Sequence, residues 1–479
     1  MSRSINSLAK EVALDIENNR LDNSLKTIYR LVADIISEPL CTSNVFSSKV
    51  LDNLCQAIGN KNLQNIGYSP HPHPNVEGTK IFVYLVTKIQ KSGGHTKLIE
   101  ALINLRPDHK HLILSTELDG NSDITYINEK IAANPNISFE RSPKKTDFAE
   151  KLTWLQSRLL SLNIAETYIL NHHQDSVIIA AVQPQIKLNA RFYHHGDHHL
   201  CLGVHLPIIH IDFHPMGYYN CRNILGVDNI YVPLTAPDKG KRPRQIGFKK
   251  DGLLTTCTAA RSNKIEIPYF IDYCEVIPAM LQASGGKHIH IGKLTPWYIR
   301  RIKKNLQKLG VAEDRFIYIP YVASVWQALH EFKVDLYITS FPYGGGITLI
   351  EAMGAGVGIA LHEHISSKIL CCRELAFEQI FSWQNPKELI DYCAKVTPQQ
   401  LQIQGDLARK HYDDFNSSDM LAKVILEEQT ILPPPDCSAK FKPLLDELAC
   451  LNASQINLFN LGKRSLYRLL KRLRAKAAW

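Results

Sequence analysis

The sequence lacks a run of about 18 apolar residues, the length that a membrane-spanning helix requires. Its eleven cysteines include no C-x-x-C pair, and Cys371 and Cys372 are adjacent, which suits neither a disulfide framework nor a zinc site. The SGGH turn at residues 92–95 lacks the G-x-G-x-x-G spacing of a dinucleotide fingerprint, and no GKS or GKT phosphate loop is present. These absences argue against an oxidoreductase and an ATPase, and they predict reduced thiols in a cytosolic protein.

The chain has 479 residues, of which 45% are hydrophobic and 21% charged, an ordinary composition for a globular protein. A formal net charge of +9 suits an anionic ligand or an anionic membrane surface, without choosing between nucleotide, nucleic acid and lipid. The first residues, MSRSINSLAKEVALDIENN, lack the apolar core of a signal peptide. We therefore expect a cytoplasmic protein.

Strand-like and helix-like segments alternate along most of the chain. The first strand, IFVYLVTKI, is a near-continuous apolar run, as in a parallel sheet buried on both faces. A polar and basic segment, TAPDKGKRPRQIGFKKDG, separates two such α/β halves, each of which we predict to be a doubly wound, Rossmann-like domain. The predicted organisation is a helical N-terminal extension (1–78), an N-terminal Rossmann-like domain (79–235), a linker (236–252), a C-terminal Rossmann-like domain (253–429), and a linker with a basic helical tail (430–479).

One stretch, Asp335 to Gly358, joins an apolar strand to a helix through a glycine-rich turn. Glycines let the backbone approach an anion closely, and a helix N-terminus points its unpaired N–H groups at that anion. Glu351, one turn into the helix, can accept hydrogen bonds from sugar hydroxyls. Gly354 and Gly356 are expected to end the helix. The stretch therefore predicts a site for a phosphate and a sugar, formed by Gly344, Gly345, Gly346 and Glu351.

Titratable side chains cluster in YHHGDHHLCLG, residues 193–203, at the end of a predicted strand. Histidine and aspartate can deprotonate a hydroxyl group or support a leaving phosphate. We predict Asp197, His195 and His198 as catalytic or acceptor-binding residues. A zinc site and a polar loop with hydrogen-bonded histidines remain alternatives, and no metal ligand is predicted.

In each half, one further candidate turn follows the first strand. After the strand LLTTCTAA, Arg261 and Lys264 can bind a diphosphate, for which the alternative is a solvated charged turn. After IFVYLVTKI, the turn of Gly93, Gly94 and His95 lets an acceptor or a phosphate approach the N-terminus of the next helix.

The last residues, 463–479, form a basic amphipathic pattern with leucines on one helical face. Such a helix is a candidate for lying on an anionic membrane, and the alternative is a basic helix packed on the protein. Nucleic acid is not a predicted partner, because no aromatic platform accompanies the charge.

The two doubly wound halves, the GGH turn and the EAMGAG helix resemble GT-B-fold glycosyltransferases, in particular bacterial sugar transferases of surface polysaccharide assembly. The resemblance covers about Lys80 to Glu428. It implies two Rossmann-like domains that face a cleft, with the acceptor domain first and the nucleotide-sugar domain second. It also implies a nucleotide-sugar donor, no cofactor and no metal ion, and a glycan, lipid-linked or protein acceptor, with Arg261, Lys264, the glycine turn and Glu351 on the donor.

One position departs from the family pattern. Those transferases have a glutamate, seven residues and a second glutamate before Ala-Met; Glu351 matches the second glutamate, whereas Tyr343 occupies the place of the first. The FPYGGG turn is also similar to that of peptide-modifying inverting transferases, so the stereochemistry is left open. A non-hydrolysing nucleotide-sugar epimerase and a catalytically silent GT-B-like binding protein are the alternative functions.

Overall fold

The structure, a computed structural model, describes residues 5–36, 46–69, 79–91, 94–194, 199–243, 245–267, 269–364, 369–431 and 433. These residues fall into two compact units that meet in the chain between Ile209 and His210. The predicted site residues Asp197, His195, His198 and Gly93 and the basic tail 463–479 lie outside the described residues.

The first unit contains three N-terminal helices and a parallel sheet in the order β3-β2-β1-β4-β5. The N-terminal helices are α1 (Ile5–Glu17), α2 (Leu21–Ile36) and α3 (Lys49–Asn65). The strands are β1 (Ile81–Val86), β2 (Lys110–Ser115), β3 (Ile137–Arg141), β4 (Ile164–Leu170) and β5 (Ala190–His194). The helices between them are α4 (Gly94–Asn104), α5 (Ile124–Ala133), α6 (Phe148–Ser161) and α7 (Ser176–Ala181).

The N-terminal helices are packed into this unit. Helix α3 lies so close to α7 that a Cβ atom at Gly59 would be 1.8 Å from the carbonyl oxygen of Ala180. Also from α3, the buried Asp52 accepts backbone N–H bonds from Gly203 at 2.7 Å and from His205 at 2.9 Å. The predicted helical extension is confirmed, and it holds the loop that follows β5 and His199.

The second unit begins in β6 (Ile209–Asp212), which continues through α8 (Pro215–Asn223) to β7 (Asn229–Tyr231), its parallel partner. Its main sheet has six parallel strands in the order β10-β9-β8-β11-β12-β13. These strands are β8 (Thr255–Ala259), β9 (Lys287–Ile291), β10 (Phe316–Ile319), β11 (Leu336–Ile338), β12 (Gly358–His362) and β13 (Phe381–Trp383). The helices are α9 (Ser262–Ile265), α10 (Tyr273–Ser284), α11 (Pro296–Lys308), α12 (Val325–Glu331), α13 (Gly346–Ala355), α14 (Pro386–Lys395), α15 (Pro398–Phe415) and α16 (Ser418–Ile425).

Both sheets change direction at their first strand. β1 lies between β2 and β4, and β8 lies between β9 and β11. Within each unit, the chain therefore adds strands first on one side of the first strand and then on the other. This is the doubly wound topology predicted from the alternating pattern, and it is confirmed in both units. In such sheets ligands bind beyond the carboxyl ends of the strands at the point of reversal.

Two glycines of the EAMGAG segment have different roles. Gly356 has φ +68° at the C-cap of α13, and it ends the helix as predicted. Gly354 lies inside α13, where a Cβ atom would meet the buried ring of Trp326 at 2.1 Å. The prediction that Gly354 ends the helix is therefore wrong, because close packing on an aromatic ring explains this glycine.

The basic segment 236–252 is tied to the second unit. Arg242 donates to the carbonyl oxygen of Gly247 at 2.6 Å and forms a buried ion pair with Asp335 at 3.4 Å. Arg409 donates to Asp238 at 2.6 Å. The domain boundaries predicted from this segment stay a prediction. Helix α5 was not predicted from the sequence. In the described part of the chain, no helix is long and apolar enough to span a membrane.

Candidate functional site

The glycine-rich turn joins β11 to α13 by a close backbone approach. Gly344 donates its N–H to the carbonyl oxygen of Leu370 at 2.7 Å. A Cβ atom at Gly344 would lie 2.7 Å from the carbonyl oxygen of Cys371. Only a residue without a side chain fits here without moving the backbone, so this turn requires glycine at position 344.

Helix α13 starts at this turn. Gly345 occupies the N-cap and brings no side chain to the first N–H groups, and Gly346 is the first helical residue. The first N–H groups of a helix lack an intrahelical partner and carry the positive end of the dipole, so this end can receive an anion.

Lys264 reaches the same turn from the neighbouring strand. It lies in α9, which follows β8, and its ammonium group donates to the carbonyl oxygen of Gly344. In turn, Tyr343 donates its backbone N–H to the carbonyl oxygen of Lys264 at 3.3 Å. The structure therefore brings Lys264 and the glycine turn together at the reversal point of the sheet, between β8 and β11.

Electrostatics at this turn favour an anion. Burial lowers the pKa of the Lys264 ammonium, and the nearby charge of Arg261 lowers it further. Arg261 is exposed at the N-cap of α9. A bound diphosphate would supply the opposite charge that both cations need, and it would raise the pKa of Lys264 again.

Glu351 is the remaining residue of the predicted donor site, and Tyr343 lies beside the same turn. Glu351 is half-buried in α13. Tyr337 has a raised pKa, first because it is buried and in smaller part because of the Glu351 charge. Tyr343, which replaces the first glutamate of the family pattern, directs its ring at His364, with 6.3 Å between ring centroids and 22° between planes. Tyr343 therefore takes part in an aromatic contact.

A histidine and a glutamate near α13 were missed by sequence reasoning. His214 is the N-cap of α8, and its Nδ1 atom lies 3.2 Å from Oε1 of the buried Glu374. A Cβ atom at Gly346 would be 3.8 Å from Cε1 of His214. The pair is separated by 160 residues in the chain, so no motif could have indicated it.

In the first unit, the described part of the GGH turn places His95 against His172. Gly94 is the first residue of α4, and the ring centroids of His95 and His172 are 5.3 Å apart. Burial lowers the pKa of His95 to about 3, and a positive charge on His172 would act in the same direction. His95 is therefore a neutral imidazole near pH 7, which can donate or accept one hydrogen bond on each ring nitrogen.

His172 is also paired with a carboxylate, another contact that the sequence did not indicate. Its Nδ1 atom lies 3.2 Å from Oδ2 of Asp119, and Lys88 contacts the same oxygen at 3.5 Å. Burial raises the pKa of Asp119, but the hydrogen bond from His172 and the Lys88 charge together hold that pKa below the ordinary range. An ionised Asp119 fixes the His172 proton on Nδ1 and leaves Nε2 as a proton acceptor.

These residues are positioned by a buried carboxylate at the reversal point of the first sheet. Asp175 accepts hydrogen bonds from Thr87 at 2.7 Å and from Thr116 at 2.6 Å, and it caps α7. The Thr87 hydroxyl also accepts the backbone N–H of His172 at 2.9 Å. Asp175 thus joins the ends of β1, β2 and β4 and orients the His172 segment.

Asp197, His195 and His198 lie outside the described residues, so the structure leaves their roles as predictions. The chain is described again from His199, whose ring centroid is 5.4 Å from that of His173. His173 is adjacent to His172 at the end of β4. The histidine-rich segment therefore resumes beside the polar carboxyl end of the first sheet.

Solved structures of glycosyltransferases resemble this fold. HepE from Anabaena in complex with UDP aligns with a TM-score of 0.55 and 12% identity over 73% of this chain and 99% of that chain. The lipopolysaccharide outer core galactosyltransferase WaaB aligns with a TM-score of 0.51 and 12% identity over 73% of this chain and 100% of that chain. A glycosyltransferase from Rickettsia africae aligns with a TM-score of 0.50 and 13% identity over 73% and 97% of the two chains.

No protein-family model and no curated protein sequence matches the chain. The similarity to these structures shows the fold, because the identities are too low to carry an activity across. The chain therefore has the GT-B fold that the resemblance implied.

Proposed function

We propose that the protein is a glycosyltransferase that moves a sugar from a nucleotide-sugar donor to a glycan, lipid-linked or protein acceptor. The observation that carries the proposal is the contact of Lys264 with Gly344, at a glycine turn that opens α13 in a GT-B fold. HepE was solved with UDP and with UDP-glucose, which makes a UDP-sugar the first donor to test.

The donor half acts on the leaving group. As the bond between the anomeric carbon and the phosphate oxygen breaks, its electron pair passes to the diphosphate, which gains negative charge. Lys264, Arg261 and the N–H groups of Gly345 and Gly346 stabilise that charge, without a metal ion at the diphosphate. Glu351 accepts hydrogen bonds from hydroxyl groups of the donor sugar.

The acceptor half supplies the base. The acceptor hydroxyl attacks the anomeric carbon and gives up its proton, for which Asp197, His195 and His198 are the residues predicted from the sequence. The described pair of His172 and Asp119 offers a second base, with Nε2 as the proton acceptor. The turn of Gly93, Gly94 and His95 receives the acceptor or a phosphate.

The cellular setting completes the proposal. We place the protein in the cytoplasm and its reaction in cell-surface polysaccharide synthesis, where acceptors are often lipid-linked. Residues 463–479 would hold it at the inner face of an anionic membrane through their basic amphipathic pattern. The acceptor domain at 79–235 and the nucleotide-sugar domain at 253–429 belong to the same proposal.

The test separates donor binding from turnover. Isothermal titration of the purified chain with UDP, UDP-glucose and other nucleotide sugars should detect binding of at least one donor. Glu351→Ala should weaken that binding, whereas Asp197→Ala should leave it unchanged and lower turnover. Exposed residues provide matched controls, Glu331→Ala for the first variant and Asp228→Ala for the second.

Two results would contradict the proposal. If no nucleotide sugar binds or is hydrolysed, the chain is not a transferase of this kind. If Asp197→Ala abolishes donor binding while Glu351→Ala affects only turnover, the two halves have been assigned the wrong way round.

A catalytically silent binding protein is the second candidate, because Tyr343 replaces a family glutamate and is engaged with His364. It predicts intact donor binding and no product on any acceptor. Incubation of the donor alone distinguishes the remaining alternative, since an epimerase would convert it without an acceptor.

A further inference from the structure

Three metal-ligating side chains converge near the start of the second unit, in a region that the proposed reaction does not use. His210 and Asp212 alternate on β6 and therefore point to the same side of the strand. Cys221 lies in the last turns of α8, which returns along β6. All three side chains are buried.

His210 and Cys221 each contact one of the two oxygens of the Asp212 carboxylate. Nε2 of His210 lies 3.2 Å from Oδ2 of Asp212, and Sγ of Cys221 lies 3.6 Å from Oδ1 of the same carboxylate. Ligands at ordinary zinc distances are about 3.4 Å apart for nitrogen and oxygen and about 3.6 Å apart for oxygen and sulfur. The observed spacings are close to these values, and an ion bound to His210 and Cys221 would take the carboxylate through both oxygens or through one oxygen after the carboxylate turns.

A divalent cation also fits the charge of this cluster. Burial of a carboxylate and a thiolate is costly unless a cation neutralises both, and a 2+ ion beside a neutral imidazole does so. Imidazole, carboxylate and thiolate together are ligands of zinc. We propose that His210, Asp212 and Cys221 bind a structural Zn²⁺ ion, whose fourth tetrahedral position is filled by a further ligand.

The surroundings of Asp212 support this assignment. Asn229 donates from Nδ2 to Oδ2 of Asp212 at 2.6 Å and to the carbonyl oxygen of Tyr218 at 2.9 Å. Arg222 in turn donates to Oδ1 of Asn229 at 3.0 Å. A carboxylate whose orientation is fixed by outer hydrogen bonds is typical of a metal site.

The ion would brace the segment that carries His214. It would join α8 to β6, and His214 is the N-cap of α8, beside Glu374 and the first turn of α13. The ion therefore has a structural role and takes no part in glycosyl transfer. This inference stands whether or not the protein transfers sugars.

The test measures the metal directly. The purified full chain, dialysed against buffer with a weak chelator, should retain about one zinc per chain by plasma mass spectrometry. After removal of zinc, added Co²⁺ should give a near-ultraviolet thiolate-to-cobalt charge-transfer band with visible bands of tetrahedral intensity. Cys221→Ser should remove the charge-transfer band and weaken zinc binding at least about 100-fold, since even outer-shell changes cost about 10- to 100-fold.

The control is Cys257→Ser, which removes another buried thiol from the same unit and should keep both zinc and the cobalt band. Asp212→Asn, checked for folding by circular dichroism, should also lose zinc. If Cys221→Ser fails to fold, the cobalt titration of the wild type decides alone. Absence of zinc together with absence of a thiolate–cobalt band in the wild type would overturn the proposal and leave a hydrogen-bonded cluster.

Discussion

The carboxyl ends of the two sheets have the same topology and opposite chemistry. In the first unit, β2 and β4 are followed by side chains that are paired with one another, His172 after β4 with Asp119 after β2. In the second unit, β8 and β11 end in a lysine that contacts a glycine backbone, at the start of a helix. One edge offers a neutral base and the other offers positive charge and N–H groups.

The contrast shows how one doubly wound frame can take two kinds of ligand. A phosphate needs close backbone and fixed positive charge, which glycine and lysine provide. A hydroxyl that must lose a proton needs a group that can accept one, which a histidine oriented by a carboxylate provides. Each sheet places the relevant residues at its point of reversal, and the turn sequences decide the chemistry.

The largest effect is expected from removing the proposed base at the carboxyl end of the first sheet. His172→Asn should lower turnover by about 10²- to 10⁴-fold, because a positioned general base contributes about that factor. Donor binding should be unchanged in titration, since His172 lies in the first unit. The exposed His109→Asn in the same unit is the control. Unchanged turnover in His172→Asn would assign the base to the residues at 195–198.

Removing the cation from the other edge should have the next largest effect. Lys264→Met should lower turnover by about 10²- to 10³-fold, because one donor to the developing charge is lost. UDP affinity should fall as well, which separates this variant from His172→Asn. Lys287→Met, an exposed lysine at the amino end of β9, is the matched control. If Lys264→Met and Lys287→Met lose turnover and UDP affinity equally, the effect does not come from the contact of Lys264 with the glycine turn.

The sequence predicted the two edges to different degrees. Gly344, Gly345 and Gly346 are contiguous and stand between a strand pattern and a helix pattern, so the turn was visible. The contact of Lys264 with Gly344 joins residues 80 apart, and it depends on β8 and β11 being neighbours. Alternation predicts parallel strands but not their order, so this contact required the structure.

The first edge was less predictable for the same reason. His172 and Asp119 are 53 residues apart and come from the ends of different strands, with no motif around either residue. Sequence reasoning chose the dense histidine cluster at 194–199 because local density is what a sequence displays. Pairs such as His214 and Glu374 become visible only when strands and helices are placed in space.

The helices that leave the two edges should respond differently to the same substitution. Gly354→Ala in α13 should destabilise the protein by about 1–3 kcal/mol in chemical denaturation, because the new Cβ atom overlaps the Trp326 ring. Gly94→Ala in α4 meets no atom within 4 Å and should change stability by less than about 0.5 kcal/mol. Similar values for both variants would contradict the packing role of Gly354.

The last expected difference concerns how the stability of the first unit depends on pH. Burial raises the pKa of Asp52 to about 7, although the N–H bonds from Gly203 and His205 lower it in part. At pH values between the ordinary carboxylate pKa and about 7, the folded state therefore keeps a proton on Asp52 that the unfolded chain has lost. The stability that Asp52 contributes is full at low pH and is lost as the pH rises through about 7.

Asp52→Asn removes this titration and tests it. The destabilisation of the variant relative to the wild type should be about 2–3 kcal/mol greater at pH 5 than at pH 8, because only the wild type loses stability between these values. Urea denaturation at both pH values measures the difference. Asp251→Asn, an exposed carboxylate of the second unit, should show the same offset at both. An equal destabilisation of Asp52→Asn at pH 5 and pH 8 would mean that the two N–H bonds outweigh burial and keep Asp52 ionised in the folded state at both pH values.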